Sequence, residues 1–243
     1  MAPGRVDILG VGFDRIDLAA AAERIIERHA AGQRTFVITA NPEFVMLARD
    51  DAELAQIAEA ADLVVADGTG VLLASRMLRD PLPGRVPGRL LVPAFLQLAR
   101  GPVFLLGAAP GVAESAAATL VRRIPSVQIA GTHAGSPAPE DDVAIRAQIE
   151  ASGARVLLVA YGMPAQERWI ARNLPLLPSV RTAIGVGGVF DQLAGRVRLP
   201  PRFVHAIGLE WLWRLAIEPR RWRRQRVLPV FVALVARQRI LGR

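Results

Sequence analysis

Five short polar or glycine-rich segments, each following an apolar run, hold most of the chemistry this chain could do. They are Thr39-Ala-Asn41-Pro-Glu43, Asp67-Gly-Thr-Gly70, Gly107-Ala-Ala-Pro-Gly111, Tyr161-Gly-Met-Pro-Ala-Gln166-Glu167 and Gly185-Val-Gly-Gly-Val-Phe-Asp191. Asp67 stands directly after Leu63-Val-Val-Ala66 and before two glycines that let a ligand approach the backbone. A carboxylate so placed can take a proton from a substrate hydroxyl, the task of a general base; equally, it can cap a helix beginning near Thr69. Thr39 and Asn41 can hydrogen-bond a donor sugar or a phosphate, although capping of a helix opened by Pro42 is their plainer use. Gly107-x-x-Pro-Gly111 bares backbone N–H groups at a helix N-terminus, a place for a diphosphate. The full dinucleotide fingerprint and its ribose-binding acid are both missing, which counts against a nucleotide-dependent oxidoreductase. Gln166 and Glu167 open a helix with Trp169 behind them, and an acid in the first turn also suits the helix dipole with no further role.

Residue types that are absent narrow the chemistry. There is no Cys, which removes disulfides, thiolate nucleophiles and Cys-held metals and suits a reducing compartment. His29, His133 and His205 are scattered without ligand spacing, and no Asp-x-Asp occurs to hold Mg²⁺ on a nucleotide diphosphate. Neither a metal nor a cofactor is therefore expected. A departing diphosphate would have to be stabilised by helix N-termini and Arg side chains, among them Arg85 in Pro81-Leu-Pro-Gly-Arg-Val-Pro-Gly88, which reads as a mobile loop.

The elements that must position these groups alternate between short apolar runs and helical patterns. Strands are expected at 6–11, 35–39, 63–66, 103–106, 127–130, 155–160 and 180–186, with helices between them, one capped by Asp17 and one over 89–100. Apolar strands alternating with helices imply an α/β, Rossmann-like fold, a mostly parallel sheet covered on both faces with ligands beyond the C-terminal strand ends. With 243 residues, 52% of them hydrophobic, the chain has material for one large core. The first ten residues lack the apolar run of a signal peptide, and the longest such run, 227–236, is too short to span a bilayer, which needs about 20 residues.

Charge divides the chain. All 30 basic residues are Arg, and ten of them lie in residues 202–243 against Glu210 and Glu218, so the whole net charge of +8 belongs to this tail. Trp211, Trp213 and Trp222 sit among those arginines. Arg and Trp beside a short apolar helix is the composition of a segment lying in an anionic membrane interface; nucleic-acid arms are more polar, so no nucleic-acid partner is expected. The division expected is an α/β core over 1–200 and a helical, basic, membrane-associating appendage over 201–243. A homo-oligomer hidden under the appendage is compatible with the sequence, but nothing in it calls for one.

Six motifs in order carry a resemblance: Thr39-x-Asn41-Pro-Glu43, Ala66-Asp67-Gly-x-Gly70, Arg85-Val-x-Gly88, Gly162-x-Pro-x-Gln166-Glu167, Gly185-Val-Gly-Gly-x-Phe-Asp191-x-x-Ala-Gly195 and Gly208-Leu-Glu-Trp-Leu-x-Arg214-Leu-x-x-Glu-Pro219-x-Arg221. Over roughly residues 6–226 the chain resembles the WecG/TagA/CpsF glycosyltransferases (family 26), with Arg198-Leu-Pro200 where the family has Arg-Ala-Pro. The resemblance implies an inverting, metal-independent transfer from a UDP-sugar, of N-acetylmannosamine or glucose type, to a polyprenyl-diphosphate-linked sugar at the cytoplasmic membrane face. It implies Asp67 as catalytic base, Thr39 as a donor-site partner, and Asn41, Arg85, Gln166 and Asp191 as pocket residues, to which the strand-end positions above add Gly107 and Glu167 as substrate-binding candidates. Arg214 and Arg221 would complete the site from the appendage.

Overall fold

A computed structural model of the chain describes residues 4–197, 199, 201, 210–217, 222 and 226–242. Six strands, β3 (Thr35–Ala40), β4 (Leu63–Ala66), β5 (Val103–Gly107), β6 (Ile129–His133), β7 (Val156–Ala160) and β8 (Thr182–Gly185), form one wholly parallel sheet in the order β4-β3-β8-β7-β5-β6. Residues alternate between faces, and both faces of these strands are apolar because helices cover each. Val37, Leu63, Val65, Leu105, Leu158 and Ile184 face one layer. It consists of α1 (Leu18–Ala30), α5 (Gly88–Leu98), α6 (Val112–Arg123) and α9 (Val189–Leu193). Ile38, Val64, Leu106, Leu157 and Ala183 face the other. There lie α2 (Pro42–Asp50), α3 (Ala52–Ala60), α4 (Thr69–Met77), α7 (Asp142–Ala151) and α8 (Ala165–Asn173). The helix starts follow local chemistry: Asp17 accepts from the Ala20 N–H at 2.9 Å, and Asp51 from that of Leu54 at 3.1 Å.

The N-terminal run departs from the expected single strand. It folds back as an antiparallel hairpin of β1 (Arg5–Ile8) and β2 (Val11–Asp14), outside the main sheet. The two-residue turn places Leu9 at φ 53° and Gly10 at φ 89°, the left-handed geometry that matches strand twist. The turn was hidden in the sequence because a Leu, an unusual residue for that backbone, occupies its first position. Asp14 on β2 joins hairpin to sheet by accepting from the Val64 N–H at 2.8 Å and pairing with Arg5 at 3.1 Å. The sixth strand also lies later than expected, beginning at Ile129 opposite Val103, and its register with β5 shifts before Gly131 pairs with Phe104.

The last helix, Val227–Leu241, docks on α2 and α4. Phe231 and Val235 are buried in the same apolar cluster as the hairpin and α2. Gln238 clasps the hairpin: Leu9 N–H donates to its Oε1 at 3.0 Å, and its Nε2 donates to Asp7 Oδ1 at 2.8 Å. A shorter helix, Glu210–Ile217, precedes it. No helix among the described residues is long and apolar enough to cross a membrane.

Candidate active site

The strand ends line up along one edge in spatial order: Asp67 after β4, Asn41 after β3, the Gly185–Gly188 turn after β8, Tyr161 after β7 and Gly107 closing β5. From β5 the chain steps outward to β6, whereas from β7 it steps the other way, to β8. The β5/β7 boundary is therefore the switch point at which parallel α/β sheets open a crevice for ligand.

At the β4 end, Asp67 is half-exposed and its N–H donates to the Ala40 carbonyl at 2.8 Å. The N-cap of α4 is Gly68, and no side chain makes the cap hydrogen bond. The N-cap position is therefore a glycine, one residue after Asp67. Segment 81–88 is irregular but pinned to this corner. Val86 N–H donates to the Ala66 carbonyl at 2.8 Å, Leu82 N–H to Ser75 Oγ at 3.1 Å, and Arg85 Nη1 to Thr69 Oγ1 at 3.3 Å. Leu82 and Val86 are buried, so the free loop expected from the Pro and Gly content is replaced by a strap held at three points. The strap delivers Arg89, on the first turn of α5, to the field of Asp67: burial lowers the pKa of its guanidinium and the Asp67 carboxylate raises it. Arg89 was not among the sequence candidates. Its spacing of four from Arg85, just after the helix-opening Gly88, is the signal that could have found it.

At the β3 end, Asn41 has its plainer use, Oδ1 accepting from the Phe44 N–H at 2.9 Å as the α2 cap. Thr39 is 7% exposed and its hydroxyl donates across to the Gly185 carbonyl at 3.1 Å. On the opposite side of β8, Gln166 Oε1 accepts from the Gly187 N–H at 2.9 Å and Gln166 Nε2 donates to Glu167 Oε1 at 2.8 Å. Glu167 is 1% exposed, and its Oε2 has no hydrogen-bond partner among the described residues. Burial lifts its pKa from the 4.5 usual for glutamate to about 7, against the pull of the Gln166 amide and its own backbone N–H. Gln166 and Glu167 therefore stand behind the glycine turn.

At the β5 end, Gly107 has φ 102°, and a Cβ there would lie 2.8 Å from the Ala160 carbonyl carbon. Gly111, the N-cap of α6, leaves that helix start without a side-chain cap, its N–H groups turned toward the strand ends. Asp191 is half-exposed in the first turn of α9, and its carbonyl accepts from the Arg196 N–H at 2.9 Å. The structure thus gathers Asp67, Arg85 and Arg89 at one corner and Thr39, Gln166 and Glu167 around the β8 turn. Gly107 and Asp191 belong to the next loops along the same edge. Arg221 and the side chain of Arg214 lie outside the described residues. Among those described, no group of three His, Asp or Glu side chains could hold a metal ion.

The model of the glycosyl transferase WecG/TagA/CpsF family matches residues 6–243. A Staphylococcus aureus protein (strain MRSA252) named N-acetylglucosaminyldiphosphoundecaprenol N-acetyl-beta-D-mannosaminyltransferase is 35% identical over 239 residues, 96% of this chain and 92% of its own length. Its counterparts in strains NCTC 8325 / PS 47 and MW2 are 34% identical over the same shares. The similarity runs through the hairpin, the sheet and the tail alike, and with it this chain belongs to the WecG/TagA/CpsF family of glycosyltransferases.

Proposed function

We propose that the chain transfers a sugar from a UDP-sugar to a sugar carried on polyprenyl diphosphate, with inversion and without a metal, at the cytoplasmic face of the membrane. The observation that carries the reading is the setting of Asp67: a half-exposed strand-end carboxylate on the ligand edge, directly before the glycine that opens α4, with Arg89 in its field. In one displacement the acceptor hydroxyl oxygen attacks the anomeric carbon, its proton passes to the Asp67 carboxylate, and the bond to the diphosphate breaks with its electron pair leaving on phosphate oxygen. Direct attack from the far side inverts the configuration. The leaving charge is met by the uncapped start of α6 and by arginines, including Arg85, Arg214 and Arg221. The names of the relatives favour N-acetylmannosamine as the sugar and N-acetylglucosamine on diphosphoundecaprenol as the acceptor.

The test is a panel of UDP- and GDP-sugars offered with a lipid-diphosphate acceptor, in the presence of EDTA, with products read by mass. One added N-acetylhexosamine from a UDP donor is expected. Transfer only from GDP donors, or only with added divalent cation, would overturn the donor or metal assignment respectively.

A further inference from the structure

Gly185, Val186 and Gly187 form the turn at the centre of the ligand edge, and they are gripped from both sides of the sheet. On the α5 side the Thr39 hydroxyl donates to the Gly185 carbonyl at 3.1 Å. On the α8 side the Gln166 amide fills the space against Gly185, where a Cβ would lie 2.8 Å from Nε2, and its oxygen takes the Gly187 N–H. A primary amide has two ends of nearly equal shape and opposite polarity. Only with its oxygen toward Gly187 does it meet a donor; reversed, its NH₂ would confront the Gly187 N–H and leave two donors face to face. Something must choose the orientation, and the group in contact with the other end is Glu167. Its Oε1 accepts from Nε2 at 2.8 Å, a carboxylate oxygen that never donates when ionised and remains an acceptor when the proton resides on Oε2.

We propose that Glu167 is a positioning residue: it fixes the orientation of the Gln166 amide and thereby holds the 185–187 turn in the shape that receives the donor nucleotide. It does this without touching the ligand, consistent with its 1% exposure. The relay is short: Glu167 carboxyl, Gln166 amide, Gly187 N–H, with Thr39 closing the grip from the far face. This rests on the reading of the site as one for a nucleotide-sugar, deepening it by assigning which buried group shapes the turn.

The experiment measures UDP affinity by calorimetry and transfer kinetics on the full chain. Glu167→Ala removes the acceptor, and UDP affinity is expected to fall roughly tenfold. Glu167→Gln keeps an acceptor oxygen for Nε2 and is expected to stay within roughly threefold of wild type, a rescue by the conservative variant. A folded Glu167→Ala protein that binds UDP as wild type does, or a Glu167→Gln protein as weak as the alanine variant, would overturn the proposal. Should Glu167→Ala fail to fold, exchanging the pair decides. Gln166→Glu alone sets two carboxyl groups against each other and is expected to lose affinity, and adding Glu167→Gln reverses the hydrogen bond and restores it. No recovery in the exchanged protein would overturn the proposal. Wild-type protein that neither binds UDP nor transfers a sugar from it would instead sink the functional reading.

Discussion

Replacing Asp67 with Asn keeps the shape of the side chain and removes its capacity to take a proton. The N-cap residue of α4 is Gly68, so the substitution leaves that residue unchanged, and Asn keeps an oxygen able to accept from a helix-start N–H. Transfer is expected to fall by about 10²–10⁴-fold, the range a general base supplies, with UDP affinity held within about threefold. Substantial residual transfer, measured with a radiolabelled donor, would remove Asp67 from the role of base. Glu167 allows a different test, through stability. Burial lifts its pKa to about 7, so between the unfolded value of 4.5 and that point the folded protein keeps a proton the unfolded chain has released. The contribution to stability is then fully present below the unfolded value and lost as pH rises through about 7; its size is about 3 kcal/mol. Urea unfolding from about pH 4 to pH 8 should show wild type losing that amount relative to Glu167→Gln, which has nothing to titrate. Parallel stability curves would mean that the Glu167 carboxyl is solvated in the folded protein.

Glycines at the strand ends show how elements constrain the site. An alanine at Gly107 meets backbone of the neighbouring strand, Ala160 at 2.8 Å, and also needs φ 102°, so neither side can yield. The cost expected from chemical unfolding is on the order of 3 kcal/mol or more. At Gly185 the nearest atoms belong to the Gln166 amide, a side-chain end; about 1–2 kcal/mol is expected, with UDP affinity falling because the amide is displaced. Equal costs at the two positions would contradict this difference. Most of this framework was readable beforehand. Apolar runs at 63–66 and 103–106 stood out because parallel strands bury both faces, and Asp17 and Asn41 announced caps through residue type. The hairpin was unreadable because Leu9 occupies a left-handed turn position that composition rules give to Asn or Gly. Asp67 could not be separated from a cap by sequence, since a carboxylate between a strand end and the N-cap glycine of α4 serves both uses. Gln166 and Glu167 read equally as an ordinary first-turn pair; they are buried because α8 packs on β7, β8 and β3, the last more than a hundred residues away in the chain.

Across the whole molecule, charge is divided in a way that packing alone does not require. The first 201 residues sum to zero and the remainder carries +8, so an anionic surface attracts one end of the protein and leaves the other indifferent. The final helix has two faces that suit this division. Inward, Phe231 and Val235 are buried and Gln238 holds the hairpin, so the helix is fixed to the body. Outward, Val230, Val232, Ile240 and Leu241 are exposed together with Arg237 and Arg239, Ile240 at 82%. Aliphatic side chains with guanidinium groups between them suit the boundary of a bilayer, where the apolar parts enter and the charges meet lipid phosphates. Each Arg near an anionic surface is worth about 1 kcal/mol, so Arg237→Gln with Arg239→Gln should weaken partition onto phosphatidylglycerol vesicles by roughly thirtyfold. Sedimentation of the full chain with vesicles measures this. Because both side chains face outward from a helix anchored elsewhere, the fold and UDP affinity should be unchanged. Raising salt should weaken wild-type binding more than that of the variant, since fewer charges remain to be screened. Binding that ignores salt, lipid charge and both substitutions would show that this face of the helix does not meet the membrane.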